Sequence, residues 1–141
     1  MPRLVGEMSA TGQRQRPILI CACLAVLIIA AYWPVMHAGF LNYDDDEYVT
    51  ANPHVRGGLT VPDVVWAFTA FHASNWHPLT WLSHALDCEW FGMNAGGHHA
   101  VGVLLHVVNS ALLFFVLLRM TGATWRCAWV AAMFGVHPLH V

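Results

Sequence analysis

The stretch "ILICACLAVLIIAAYWPVM", residues 18–36, decides how the rest of the chain is read. It lies in a run from Pro17 to Tyr43 that contains no Asp, Glu, Lys or Arg. A helix of about 20 apolar residues, rising ~1.5 Å per residue, is what crosses a hydrocarbon core of ~30 Å. Arg14 and Arg16 precede the run as they would in a secretory signal peptide. The run, however, ends in Tyr32, Trp33 and Pro34 instead of the small residues of a cleavage site, so an uncleaved anchor is expected.

Composition agrees with lipid as the solvent. The chain has 141 residues, of which 57% are hydrophobic and 10% charged, and its mean hydropathy is +0.52. All six basic residues are arginine, the formal net charge is -2, and no basic run could neutralise a row of phosphates. No nucleic-acid partner is therefore expected. Three of the four cysteines, Cys21, Cys23 and Cys127, fall in apolar segments and read as small core fillers. Cys88 alone lies in a polar region and is expected to be reachable from outside.

Working outward, a second uncharged run, "AVGVLLHVVNSALLFFVLL", covers residues 100–118, and a third, "CAWVAAMFGVHPLHV", covers 127–141. The third is too short for a finished crossing and suggests a truncated protein. Arg3, Arg14 and Arg16 precede the first run, and Arg119 and Arg126 separate the second from the third. Five of the six arginines thus fall on one side, which the positive-inside rule makes cytoplasmic. The expected order is a cytoplasmic tail (1–16), a first transmembrane helix (17–38), an exterior loop (39–97), a second transmembrane helix (98–118), a cytoplasmic loop (119–126) and a truncated third helix (127–141). The expected fold class is all-α integral membrane.

The exterior loop carries helix punctuation. Thr60 is placed as an N-cap, with Pro62 in the first turn and Asp63 three residues after the cap, so a helix is expected at about 61–72. Pro78 opens a second at about 78–91, which stops at Gly92. Both are expected to lie in the membrane interface, anchored by Trp66, Trp76, Trp81 and Trp90.

The same loop holds "FLNYDDDEYVTANPHV", residues 40–55, where Asp44, Asp45, Asp46 and Glu47 stand together. Adjacent carboxylates raise one another's pKa, and a partly desolvated one can serve as a general base. The same oxygens suit a hard divalent cation such as Mg²⁺ or Mn²⁺, and a plain solvated turn is the third reading. Ten histidines are unusual for this length. His99 lies with His98 at the outer end of the second run, His106 and Asn109 share a face inside it, and His137 and His140 flank Pro138 in the third. Polar groups in lipid usually face a bundle interior or cavity, which makes His99, His106, His137 and His140 candidates to line a site. His84 and Asp87 lie one helical turn apart, but no third ligand has convincing spacing, so no metal site is expected.

Residues 40–69, the segment "NWHPLTWLSHALDCEWFGMNAGGHHAVGVLLHVVNSALLFFVLLRMTG" (75–122) and the terminal "HPLHV" together carry a resemblance. They look like the amino-terminal part of bacterial multi-span membrane proteins with tetratricopeptide repeats. Those proteins are similar in turn to the transmembrane O-mannosyltransferases with tetratricopeptide repeats, of the C-type glycosyltransferase superfamily. The resemblance implies a C-type glycosyltransferase-like fold in a bacterial cytoplasmic membrane. It implies a polyprenyl-phosphate sugar as donor, mannose by analogy, and a protein hydroxyl as acceptor, with the site at the outer face. "YDD" at Tyr43, Asp44 and Asp45 matches the family's acidic motif. Asp44 would take the acceptor's proton, Asp45 would help position the acceptor, and Tyr43 would lie in the binding site. His77 stands where the eukaryotic branch usually has arginine before "PL", and is the matching carrier-binding candidate. A noncatalytic membrane scaffold presenting the repeats is the competing expectation.

Overall fold

The computed structural model describes residues 2–41 and 44–138, with side chains from residue 16 onward. Among the described residues there are six α-helices: α1 (Pro2–Tyr32), α2 (Pro53–Arg56), α3 (Val61–Thr69), α4 (Pro78–Phe91), α5 (Ala95–Thr121) and α6 (Thr124–Gly135). A 3-10 turn, Trp33–His37, follows α1, and a π-helical turn, Asp46–Thr50, precedes α2. No strand occurs among the described residues, only an isolated antiparallel bridge between His72 and Asn75. The chain divides into two compact units, one made of the residues up to Trp33 together with those from Gly102 onward, the other of Pro34–Val101.

The first unit is built from helices that each bury one stripe. On α1 the stripe is Leu24, Ile28 and Tyr32, on α5 it is Val103, His106, Ser110 and Phe114, and on α6 it is Cys127, Ala131 and Gly135. The spacing of three or four residues is the helical period, so each stripe is one face. Small residues on α6 let α1 come close. A Cβ on Gly135 would lie 2.8 Å from Ile28 Cδ1 and 3.3 Å from Ser110 Oγ. This is how helices pack where lipid replaces the hydrophobic drive. The other faces are apolar too, with Val26, Leu104, Leu112, Val116 and Val130 exposed. Residues Arg16–His37 and the whole of α5 are long and apolar enough to cross a membrane.

The second unit has a small core of its own: Val49, Val55, Ala67, Trp81 and Cys88, with Tyr48 and Trp66 packed against it. Local chemistry sets its elements. Asn52 caps α2 by accepting from the His54 amide at 3.0 Å, and Pro53 follows at the first position, where a missing N–H costs nothing. Thr60 caps α3. Pro78 opens α4, which ends at Gly92 with φ 59° and ψ −136°, a conformation essentially reserved for glycine.

The interfacial anchors need correction. Trp81 is 1% exposed, packed among the tilted rings of Tyr48 and Trp66 and edge-on to His72, and therefore belongs to the loop's own core. Trp66 is half-buried beside it. Trp76 and Trp90 are exposed, as are Val64, Val65, Phe68 and Phe71. Cys88, 7% exposed, is likewise inside. A core needs its large rings more than an interface does, because full burial of an aromatic contributes the larger free energy.

Candidate functional site

The acidic run folds into a turn whose members differ in surroundings. Asp44 is exposed, whereas Asp45 and Asp46 are half-buried. Asp45 Oδ2 accepts from the Leu41 amide at 2.7 Å, which closes the loop around the motif. Asp46 Oδ1 accepts from Thr50 Oγ1 at 2.7 Å and so braces the π-helical turn from within. The Glu47 side chain is exposed, and its carbonyl faces His72 Nε2 at 3.3 Å. Tyr43 and His140 lie outside the described residues.

A second constellation stands where α4 reverses into α5. His84 and Asp87 are one turn apart on α4, and His98 comes from the first turn of α5. One ligand atom from each lies within 4.8 Å of the others. The reversal is glycine-built. Gly92 turns the chain, and Gly97 lets the first turn of α5 approach the end of α4 so closely that a Cβ there would lie 2.5 Å from Phe91 Cγ. His98 Nε2 donates to the Gly92 carbonyl at 3.0 Å. A carbonyl only accepts, so the proton sits on Nε2 and the Nδ1 lone pair is left free. That Nδ1 is 4.0 Å from Asp87 Oδ2, beyond hydrogen-bond range. Among the described residues neither His98 Nδ1 nor His84 Nδ1 has a hydrogen-bond partner, and both atoms are buried.

Burial governs the charges here. It pushes the Asp87 carboxyl above the usual carboxylate range, with His98 acting the other way. It pushes His84 below the ordinary imidazole value, aided by His98 and opposed by the Asp45 carboxylate. The influence of Asp45 ties the acidic turn to this cluster. Spacing alone did not find His98, because the pairing depends on the Gly92 reversal. The only sequence signal was a helix-stopping glycine between the His84/Asp87 turn and the next histidine pair.

The remaining candidates distribute as follows. His77 occupies the N-cap position of α4 with its side chain exposed, and its carbonyl accepts from the Trp81 amide at 3.0 Å. His99 is half-buried, its ring centroid 6.3 Å from that of Phe40. In the first unit His106 is buried, with Nε2 donating to the Gly135 carbonyl at 3.0 Å and the Tyr32 ring edge-on at 5.7 Å. The Tyr32 hydroxyl donates to the His137 carbonyl at 2.7 Å, so His106 and His137 share a neighbour. Asn109, expected on the inner face, is exposed. Ser110 takes the buried position and donates to the His106 carbonyl at 2.9 Å.

No known family profile matches the chain, and no solved structure does. Curated relatives do. The chain is 31% identical over 142 residues to Protein O-mannosyl-transferase Tmtc1 of Drosophila melanogaster, an alignment covering 95% of this chain and 16% of that protein. It is 32% identical over 131 residues to Protein O-mannosyl-transferase Tmtc2 of the same organism, covering 86% of this chain and 13% of the relative. Against Protein O-mannosyl-transferase TMTC1 of Mus musculus it is 30% identical over 149 residues, covering 96% and 16%. The chain thus spans about one sixth of the length of these relatives. Over most of its own length, acidic turn and α4–α5 reversal included, it resembles the Tmtc-type protein O-mannosyltransferases.

Proposed function

We propose that the chain is part of an integral membrane glycosyltransferase of C-type fold, which moves a sugar from a polyprenyl-phosphate carrier to a hydroxyl on a protein. The sugar is mannose by analogy with the relatives' names. The observation that carries this reading is the likeness to O-mannosyltransferases over 95% of the chain, which includes the acidic turn at Asp44 and Asp45.

In the proposed reaction the acceptor hydroxyl oxygen attacks the anomeric carbon. The bond from that carbon to the carrier phosphate oxygen breaks, and the phosphate leaves with the electron pair. The acceptor's proton passes to the Asp44 carboxylate, which is exposed to solvent. Asp45, fixed by the Leu41 amide, positions the acceptor. The arginine asymmetry supports an orientation with this turn on the outer face, where a lipid-linked sugar and a protein acceptor can meet. His77 and His99 are the proposed carrier-side groups of the loop unit. His106 supports the bundle through Gly135.

The test is Asp44→Asn in the full-length protein, with transfer of labelled mannose from polyprenyl phosphate to protein measured in membranes. Loss of a general base lowers the rate by about 100-fold or more. Undiminished transfer, or no transfer by the unaltered protein under any donor, sinks the catalytic reading in favour of a noncatalytic scaffold.

A further inference from the structure

The donors at the α4–α5 reversal are two imidazoles and one carboxylate, drawn from two helices and gathered within 4.8 Å. We propose that His84, Asp87 and His98 bind a borderline divalent transition-metal ion, Zn²⁺ foremost, which clamps the end of α4 to the start of α5. This inference stands on the geometry of the loop unit and does not depend on the glycosyltransferase reading.

Four observations carry it. Zn²⁺ takes nitrogen and oxygen ligands at about 2.0–2.2 Å, so two ligands of a tetrahedral site stand about 3.3–3.6 Å apart. His98 Nδ1 and Asp87 Oδ2 are separated by 4.0 Å, which is too far for a hydrogen bond and near the span across one ion. A merely structural His–Asp pair would close to about 2.8 Å. Second, the ring of His98 is oriented by a hydrogen bond from Nε2 to the Gly92 carbonyl, the outer contact that fixes a metal-binding imidazole. Third, two buried imidazole nitrogens, His84 Nδ1 and His98 Nδ1, have no hydrogen-bond partner. Buried polar atoms are rarely left unpaired, so the pair calls for an occupant. Fourth, the donor type selects the ion. Imidazoles favour zinc and its neighbours, whereas Mg²⁺ wants oxygen ligands in octahedral array.

Three protein ligands leave one position open. The ligand atoms close by about 1 Å on binding, within reach of side-chain rotation on α4. The Asp45 charge, which acts on His84, would act on a dication here as well. The clamp would therefore couple the acidic turn to the helix that enters the membrane-spanning stretch.

The full-length protein, purified without a polyhistidine tag and stripped with a chelator, is titrated with Zn²⁺ against a chromophoric competitor. One tight equivalent is expected, with Co²⁺ at the same site giving the visible absorption of a four-coordinate ion. Asp87→Asn and His98→Ala should each weaken Zn²⁺ by at least about 100-fold, more than the loss of an outer-shell partner. Asp87→Cys, which keeps a zinc donor, should retain tight binding and separates ligand loss from misfolding. His54→Gln, whose imidazole pairs with Asp63 and not with the cluster, should change nothing. Absence of a tight equivalent in the unaltered protein overturns the proposal. So does unchanged affinity in Asp87→Asn, or displacement of Zn²⁺ by equimolar Mg²⁺.

Discussion

His106 Nε2 lies 3.0 Å from the Gly135 carbonyl oxygen, and the bond joins the middle of α5 to the last turn of α6. Carbonyls in a final helical turn lack intrahelical partners, so this histidine satisfies a group that lipid could not. His106→Leu is expected to lower the stability of the helical unit by about 1 kcal/mol, the scale of hydrogen bonds between membrane helices. His106→Gln, which can still donate, should recover most of it. Thermal unfolding in detergent checks both. A variant with native stability but weakened donor binding would make His106 a ligand for the carrier instead.

The turn between α3 and α4 holds two consecutive non-glycine residues at positive φ, Ala73 at 49° and Ser74 at 61°. It is closed by His72 N to Asn75 O at 3.1 Å and Asn75 N to His72 O at 2.9 Å. Left-handed backbone costs an ordinary L-residue about 1–2 kcal/mol. Ser74→Gly is therefore expected to stabilise the loop unit by up to about 1 kcal/mol, with its folded structure unchanged. A neutral or destabilising result would mean that the Ser74 side chain contributes more than its backbone strain costs.

Thr60 caps α3: its hydroxyl donates to the Asp63 carboxylate, and the same oxygen faces the Asp63 amide at 3.4 Å. His54 Nδ1 adds a contact to Asp63 Oδ1 at 2.9 Å. The Thr60 hydroxyl first, and His54 second, hold the Asp63 carboxyl below the usual carboxylate range. A lowered folded-state pKa means stability that is fully present above the unfolded value, ~3.9, and lost as pH falls through the folded one. The Asp63 contribution to melting of the loop unit, read as the difference between the native chain and Asp63→Asn, should be flat down to about pH 5 and be lost only in more acid solution. Thr60→Ala should cost about 1 kcal/mol at neutral pH and shift the Asp63 carboxyl resonance titration upward.

Cys88 cannot report topology in the folded protein. Burial pushes its thiol up, with the Asp87 charge adding to the effect, so it is a poor nucleophile as well as a hidden one. A membrane-impermeant maleimide should leave Cys88 unlabelled in intact cells. Met93→Cys, at an exposed position just after the Gly92 turn, should label rapidly from outside. Labelling of that variant only after the membrane is opened would reverse the proposed orientation.

Much of the helix plan was legible because punctuation is local. Thr60, Pro62 and Asp63 announce a helix, and α3 runs from Val61, although it stops at Thr69 where the sequence suggested about 72. Pro78 and Gly92 bracket α4 for the same reason, since each acts on its own backbone. The uncharged run at 100–118 lies within α5, and the one at 18–36 fills the last part of α1 and continues into the 3-10 turn after it. Packing partners were a different matter. Nothing in the period of α5 said that Ser110, and not Asn109, would face inward, or that Trp81 would be core while Trp90 stayed exposed.

By itself the sequence determined the apolar helices, the charge asymmetry, the acidic turn and the likeness to the O-mannosyltransferases, all of which rest on composition or on neighbouring residues. Only the tertiary structure decided that His98 joins His84 and Asp87, because a positive-φ glycine at 92 and a close approach of Gly97 to Phe91 bring the first turn of α5 back to the end of α4. It also decided that His106 serves Gly135, a pairing across 29 residues that no local rule encodes. Side-chain chemistry is written along the chain, but the company each side chain keeps is set by packing.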